Sequence, residues 1–202
     1  MGNRRERRAC PVLRTAAQRV HRGRHGRGGF SLVEVLIAAV ILAVAITGIS
    51  GSILSAMALN RVNRDTALAQ QAARRVMEEL SGVPFREVFA CYNADPGDDL
   101  GLTIAARGPN FTVVGLDVQT GDPDGFCGRV LFPSVAPGGA EELREDFVDA
   151  GLNMPRDLNG DGMVDALDHG DDYVLLPVRV RVEWRGISGP RQIELETMLS
   201  AR

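Results

Sequence analysis

Residues 29–37 read Gly29-Phe30-Ser31-Leu32-Val33-Glu34-Val35-Leu36-Ile37, and this stretch decides the fold. It follows an Arg- and Gly-rich segment and opens an apolar run that continues to Leu59. No charged residue occurs between Val35 and Asn60. A single membrane span needs about 20 mostly apolar residues, so the run is long enough. Its one anomaly is Glu34. A carboxylate in an apolar span is costly and is usually held by a partner, which marks it as a functional residue.

The charge distribution supports an anchored chain. Its 202 residues are 45% apolar, enough for one domain plus an anchor. The net charge of -3 divides sharply: residues 1–29 carry nine Arg against one Glu (+8), and residues 30–202 carry 14 Arg against 25 acids (-11). Basic residues ahead of a span stay in the cytoplasm, so the acidic remainder is expected on the outer side of the membrane. Read instead as a nucleic-acid-binding arm, the Arg-rich segment lacks interleaved aromatics and is tied to a span. No nucleic-acid partner is expected.

Three readings compete for residues 30–59. A permanent signal anchor and a secretory signal peptide cleaved near Ala43-Val44-Ala45 both explain a basic flank and an apolar run. Neither requires Gly29-Phe30, and neither accommodates Glu34. Residues 29–37 resemble the class III signal of type IV prepilins and type II secretion pseudopilins. That resemblance implies cleavage after Gly29 by a membrane prepilin peptidase, with residues 1–29 as the leader. It also implies N-methylation of Phe30, and pairing of Glu34 with the amino terminus of a neighbouring pilin or pseudopilin subunit. The physics agrees: alone in lipid Glu34 is expensive, whereas beside a cationic amine its charge is compensated only in the assembled bundle. The Arg75–Leu80 region ahead of Pro84-Phe85 resembles the minor pilins of the type IV pilus modification group.

Beyond Asn60, Leu59, Val62, Thr66, Ala69, Ala73, Val76 and Leu80 recur at spacings of three and four, one face of an amphipathic helix. Arg61/Asp65, Arg74/Glu78 and Arg75/Glu79 are expected on its polar side, and Gly82 and Pro84 end it. One helix with a membrane half (30–59) and an amphipathic half (60–82) is therefore expected, Gly48 and Gly51 being its weak points. The remainder, 83–202, is the extracytoplasmic head. Within it 83–110 reads as irregular, 111–118 as a strand, 121–125 as a turn, 129–132 as a short strand and 141–150 as a short helix. Val178, Val180, Val182 and Trp184 alternate with charged residues, as do Ile193, Leu195, Thr197 and Leu199 after a Gly-containing turn, so 174–200 is an antiparallel hairpin. The fold class is α+β: a long N-terminal helix on a small antiparallel sheet, the pilin layout.

Two further features bear on chemistry. Residues 157–168 fit the calcium-loop template, with Asp157, Asn159, Asp161 and Asp165 as side-chain ligands, the Met163 carbonyl as a backbone ligand, and Asp168 in the twelfth position. Gly162 allows the sharp turn. The template resembles a dockerin segment, but a dockerin needs two and the chain has one. A solvated Asp/Gly turn is the alternative. Cys91 and Cys127 form a candidate disulfide closing a 37-residue segment in an oxidising compartment. His169 is the one histidine beyond the leader, and no nucleophile, phosphate loop or zinc spacing accompanies it. The chain reads as a structural subunit and not an enzyme. The runner-up is a single-pass, calcium-stabilised extracytoplasmic binding protein with no filament role.

Overall fold

The computed structural model describes residues 29–201; residues 1–28, with Cys10, His21 and His25 of the expected leader, lie outside the described residues. Helix α1 (Leu32–Ser81) is one 50-residue element. It runs unbroken through Gly48 and Gly51. The Val35 amide donates to the Ser31 carbonyl at 3.1 Å, which starts the helical ladder two residues beyond Phe30. Two hydroxyls in the apolar run satisfy themselves on the helix: Thr47 Oγ1 donates to Val44 O (2.9 Å) and Ser55 Oγ to Gly51 O (3.0 Å).

The residues divide into two compact units, one ending at Gly48 and one beginning at Ile49. In the first, every side chain from Phe30 onward is exposed, large apolar ones included. The second unit holds the core. Here α1 buries Asp65, Ala69, Ala73, Val76 and Leu80. Ala69 and Ala73 are fully buried and join the same core cluster as the inward residues of the sheet.

After α1 come a 3-10 turn (Phe85–Glu87) and a short helix, α2 (Val88–Tyr92), where the sequence suggested irregular chain. The main sheet is β1 (Asn110–Phe111), β2 (Gly128–Leu131), β5 (Leu175–Gly186) and β6 (Gly189–Ser200), in that spatial order and antiparallel throughout. β3 (Ser134–Val135) and β4 (Glu142–Leu143) pair separately. The expected hairpin is β5–β6, closed by a two-residue turn at Ile187 and Ser188. Its inward row of Leu176, Val178, Val180, Val182 and Trp184 is at most 2% exposed. That row joins Ala69, Ala73, Val76 and Leu80 of α1 in one core cluster, and its burial favours the packing of the strand. On the opposite face Arg179 lies across from Glu196, and Arg181 across from Glu194.

The structure corrects three local expectations. Residues 141–150 are not a helix: they hold β4 and an isolated bridge from Asp149 to Met154, because the Arg144 amide bonds Pro133 and the His169 amide bonds Leu143. Strand character in 111–118 is confined to Phe111, and the chain turns at Gly115. Asp65 is not on the polar side of α1: only 7% of it is exposed, and its near cation is Arg64 (3.4 Å), not Arg61. Of the helix pairs, Arg75–Glu79 forms (3.0 Å), with Arg107 also on Glu79 (2.6 Å).

Cys91 and Cys127 are buried free thiols and not a bridge. The two thiols donate to different backbone carbonyls, Cys91 to Ala105 O (3.6 Å) and Cys127 to Leu116 O (3.8 Å). Burial pushes both thiols up from their ordinary pKa, which keeps them protonated and unreactive.

Candidate functional site

The expected processing segment lies at the very start of α1. Gly29 and Phe30 precede the helix and are exposed, Phe30 to 81%. Glu34 stands in the first turn, where the unpaired N–H groups and the positive end of the helix dipole favour a carboxylate. A cleaved, accessible amino terminus and a nearby acid are therefore compatible with one continuous helix. Among the described residues α1 is the one helix long and apolar enough to cross a membrane.

The acidic loop has its own internal order. Asp157 accepts the Gly160 amide at 2.5 Å and the Gly162 amide at 2.8 Å. Asn159 Oδ1 accepts from Asp161 N (3.0 Å), and Asp161 Oδ1 from Met163 N (2.7 Å). Gly160 and Gly162 both have positive φ (83° and 88°), which the tight turns require. These bonds hold Asp157, Asn159 and Asp161 as a compact series. The last two residues of the expected ligand set point elsewhere. Asp168 Oδ1 caps the Leu143 and Gly170 amides, each at 3.0 Å, and Asp165 Oδ1 meets His169 Nε2 at 3.2 Å.

The residue that sequence reasoning missed is Glu145, only 1% exposed. Its Oε1 accepts from Leu158 N (2.6 Å) and Asn159 N (3.2 Å), and its Oε2 from Asp165 N (3.3 Å). One carboxylate thus clasps both ends of the loop. Reading 141–150 as a helix hid it, since no local periodicity marks a side chain whose partners lie 13 to 20 residues away. His169 is also buried, with Nδ1 3.0 Å from Asp172 and Nε2 3.8 Å from Glu145. Burial pulls its pKa down, but the hydrogen bonds to Asp165 and Asp172 and the Glu145 charge outweigh it and raise the net value.

Glu145, Asp165 and His169 bring one ligand atom each to within 4.8 Å of one another, a set that could hold a metal ion. Every one of these groups also has protein partners, so the cluster is satisfied as an internal tie between β4, the loop and the segment leading into β5. Among the described residues the side chains that meet the His169 ring are carboxylates, and the only thiols are the two buried ones.

Comparison with known proteins adds one match. Residues 24–50 match the family model described as the prokaryotic N-terminal methylation motif, a span that contains Gly29, Phe30 and Glu34. The chain carries the N-terminal methylation motif of prokaryotic prepilins at the start of a long apolar helix, and a small antiparallel sheet follows, a layout consistent with type IV pilins and pseudopilins. The motif implies processing by prepilin peptidase and assembly with other pilins, and the long apolar helix is of the kind that anchors prepilins in a membrane. No curated protein and no solved structure matches the chain.

Proposed function

We propose that this chain is a minor pilin or pseudopilin, a structural subunit of a type IV pilus or of a type II secretion pseudopilus. Prepilin peptidase cuts between Gly29 and Phe30, and Phe30 becomes the methylated amino terminus. The apolar half of α1 holds the subunit in the inner membrane with the head outside. The observation that carries this reading is the methylation motif at residues 24–50, set at the start of a helix that exposes every apolar side chain of its first unit. On assembly those side chains meet neighbouring helices, and Glu34 meets a neighbour's terminal amine, which compensates a charge otherwise costly in an apolar bundle.

The mature amino terminus tests it. Mass spectrometry of the membrane-extracted protein should find N-methyl-Phe30 as the first residue. An intact leader, or a start near Ile46, would overturn the proposal. Glu34→Val should preserve cleavage and membrane insertion but abolish incorporation into filaments; unchanged incorporation would remove the amine partner.

For the acidic loop we propose a structural calcium ion held by Asp157, Asn159, Asp161 and the Met163 carbonyl. The short Asx turns and the two positive-φ glycines support it. Asp165 and Asp168 join only if they release His169 and the Leu143 and Gly170 amides.

A further inference from the structure

Strand β6 is an edge with unusual chemical definition. The Glu183 amide donates to Cys127 O at 2.7 Å on the β2 side. In an antiparallel ladder the bonding direction alternates along a strand, so odd-numbered residues of β5 turn to β2 and even-numbered ones to β6. By the β5–β6 register, Ile193, Leu195 and Thr197 then face β5. Gln192, Glu194, Glu196 and Met198 present their backbone N–H and C=O groups away from the sheet. Among the described residues β5 is the one strand paired with β6. Pro190 fits the same parity, since its missing N–H falls on the outward side.

Both faces of this edge are incomplete. On the core side Ile193, Leu195 and Leu199 are packed against the core but only partly buried. Beside Leu199 lies a groove of about 410 Å³ lined by Leu80, Val83, Phe85 and Val88. On the other face β6 contributes Glu194 and Glu196, with no cation of its own between Gln192 and Ser200. Arg181 reaches Glu194 (2.6 Å) and Arg179 reaches Glu196 (2.7 Å), but Arg179 is also committed to Asp149 (2.7 Å). Three carboxylates thus share two guanidinium groups, Arg179 standing 3.4 Å from Glu194 as well, and Arg156 lines a hollow beside Glu196 and Met198.

We propose that the β6 edge takes an extended strand of another polypeptide, with apolar and basic residues in alternation. Its backbone bonds the outward amides from Gln192 to Met198. Its basic residues stand across from Glu194 and Glu196, and its apolar residues cover Ile193, Leu195 and Leu199 and enter the groove. The chain contains a strand of this composition on the other side of β6: Val178-Arg179-Val180-Arg181-Val182 in β5. Main-chain bonds with alternate side-chain recognition are the general mode of strand addition. A second copy pairing through its own β6 is disfavoured, because antiparallel self-pairing about Leu195 sets Glu194 against Glu196. The proposal rests on the head alone and stands or falls separately from processing at Gly29.

A labelled synthetic peptide with the sequence of residues 176–184 tests it against the full chain in detergent micelles. Fluorescence anisotropy should show saturable binding, about tenfold weaker when both Arg of the peptide are replaced by Glu. Gln192→Pro, which removes only an outward donor, should weaken binding while Trp184 emission stays native. Amide exchange guards against a misfolded variant: in the wild-type chain, peptide should slow exchange at Gln192, Glu194, Glu196 and Met198 and leave Ile193 and Leu195 unchanged. Absence of binding up to millimolar peptide, equal binding of the two peptides, or no protection of those four amides would overturn the proposal. So would concentration-dependent dimerisation abolished by Gln192→Pro, which would make a second copy the occupant.

Discussion

The Asp149–Arg179 contact gives a quantitative test of how the loop before the acidic segment is tied to the sheet. Arg179 Nη1 and Nη2 bond the two carboxylate oxygens of Asp149 at 2.7 and 2.8 Å, a paired, charge-assisted geometry. The side chains are 11% and 21% exposed, and Asp149 Oδ1 also accepts the Gly151 (2.9 Å) and Leu152 (3.2 Å) amides. Breaking a fully buried ion pair costs about 3–5 kcal/mol because a charge is stranded. Here Asp149→Ala leaves Arg179 with Glu196, so the cation is not stranded and solvent screens part of the loss. We expect about 2 kcal/mol, roughly 4–8 °C in Tm for a domain of this size. Trp184 is the single tryptophan of the chain and is 2% exposed, so its emission reports unfolding of the head in detergent-solubilised full-length protein. In a cycle with Arg179→Met the coupling should be about 1–2 kcal/mol. The sign with pH follows from the Arg179 hydrogen bonds, which hold the Asp149 carboxyl below its ordinary value. A depressed folded pKa means the stabilisation is fully present above the unfolded value of about 3.9 and is lost as pH falls through the folded one. The gap between wild type and Asp149→Ala should therefore be constant above about pH 5 and close below about pH 4. A loss under about 0.5 kcal/mol, the ceiling for most surface changes away from special features, would refute the reasoning. So would zero coupling, or a gap that widens in acid.

Three other outcomes are expected. A Cβ at Gly128 would run into the Phe111 ring across the β1–β2 pair, so Gly128→Ala should cost about 1–3 kcal/mol, read by the Trp184 transition; an unchanged midpoint would mean that β1 is not held there. In the folded chain the Cys91 and Cys127 thiols should resist an aromatic disulfide reagent at pH 8 and react after unfolding, as peptide mapping would show; a Cys91–Cys127 peptide from non-reduced native protein would refute the free-thiol arrangement. With calcium at about ten times a dissociation constant of order 10⁻⁴ to 10⁻³ M, the head should gain about 1.4 kcal/mol, and Asp161→Ala should lower the midpoint only when calcium is present. Identical melting of both proteins with calcium or chelator removes the metal from the loop.

What the sequence determined by itself is what local periodicity encodes. The apolar run after Gly29-Phe30, the single Glu34, the three-and-four spacing from Ala69 to Leu80 and the period-two alternation around Ile187-Ser188 each report one element whose exposed and buried faces repeat within a few residues. The long helix and the β5–β6 hairpin follow from them, and with these the α+β class. The methylation motif was legible for the same reason, being a short contiguous signal.

Tertiary structure decided the placements that hang on one distant partner. Asp65 reads as a surface acid, four residues from an Arg, yet faces the core. Glu145 reads as a helix residue, yet its two oxygens clasp Leu158, Asn159 and Asp165. Asp168 leaves the twelfth position of its loop because Leu143 and Gly170 offer it two amides. Cys91 and Cys127 are compatible with a bridge until the fold gives each thiol a different carbonyl. None of these contacts repeats along the chain, so no period announces them. They exist only once the elements have closed on one another and each buried polar atom has had to find a partner.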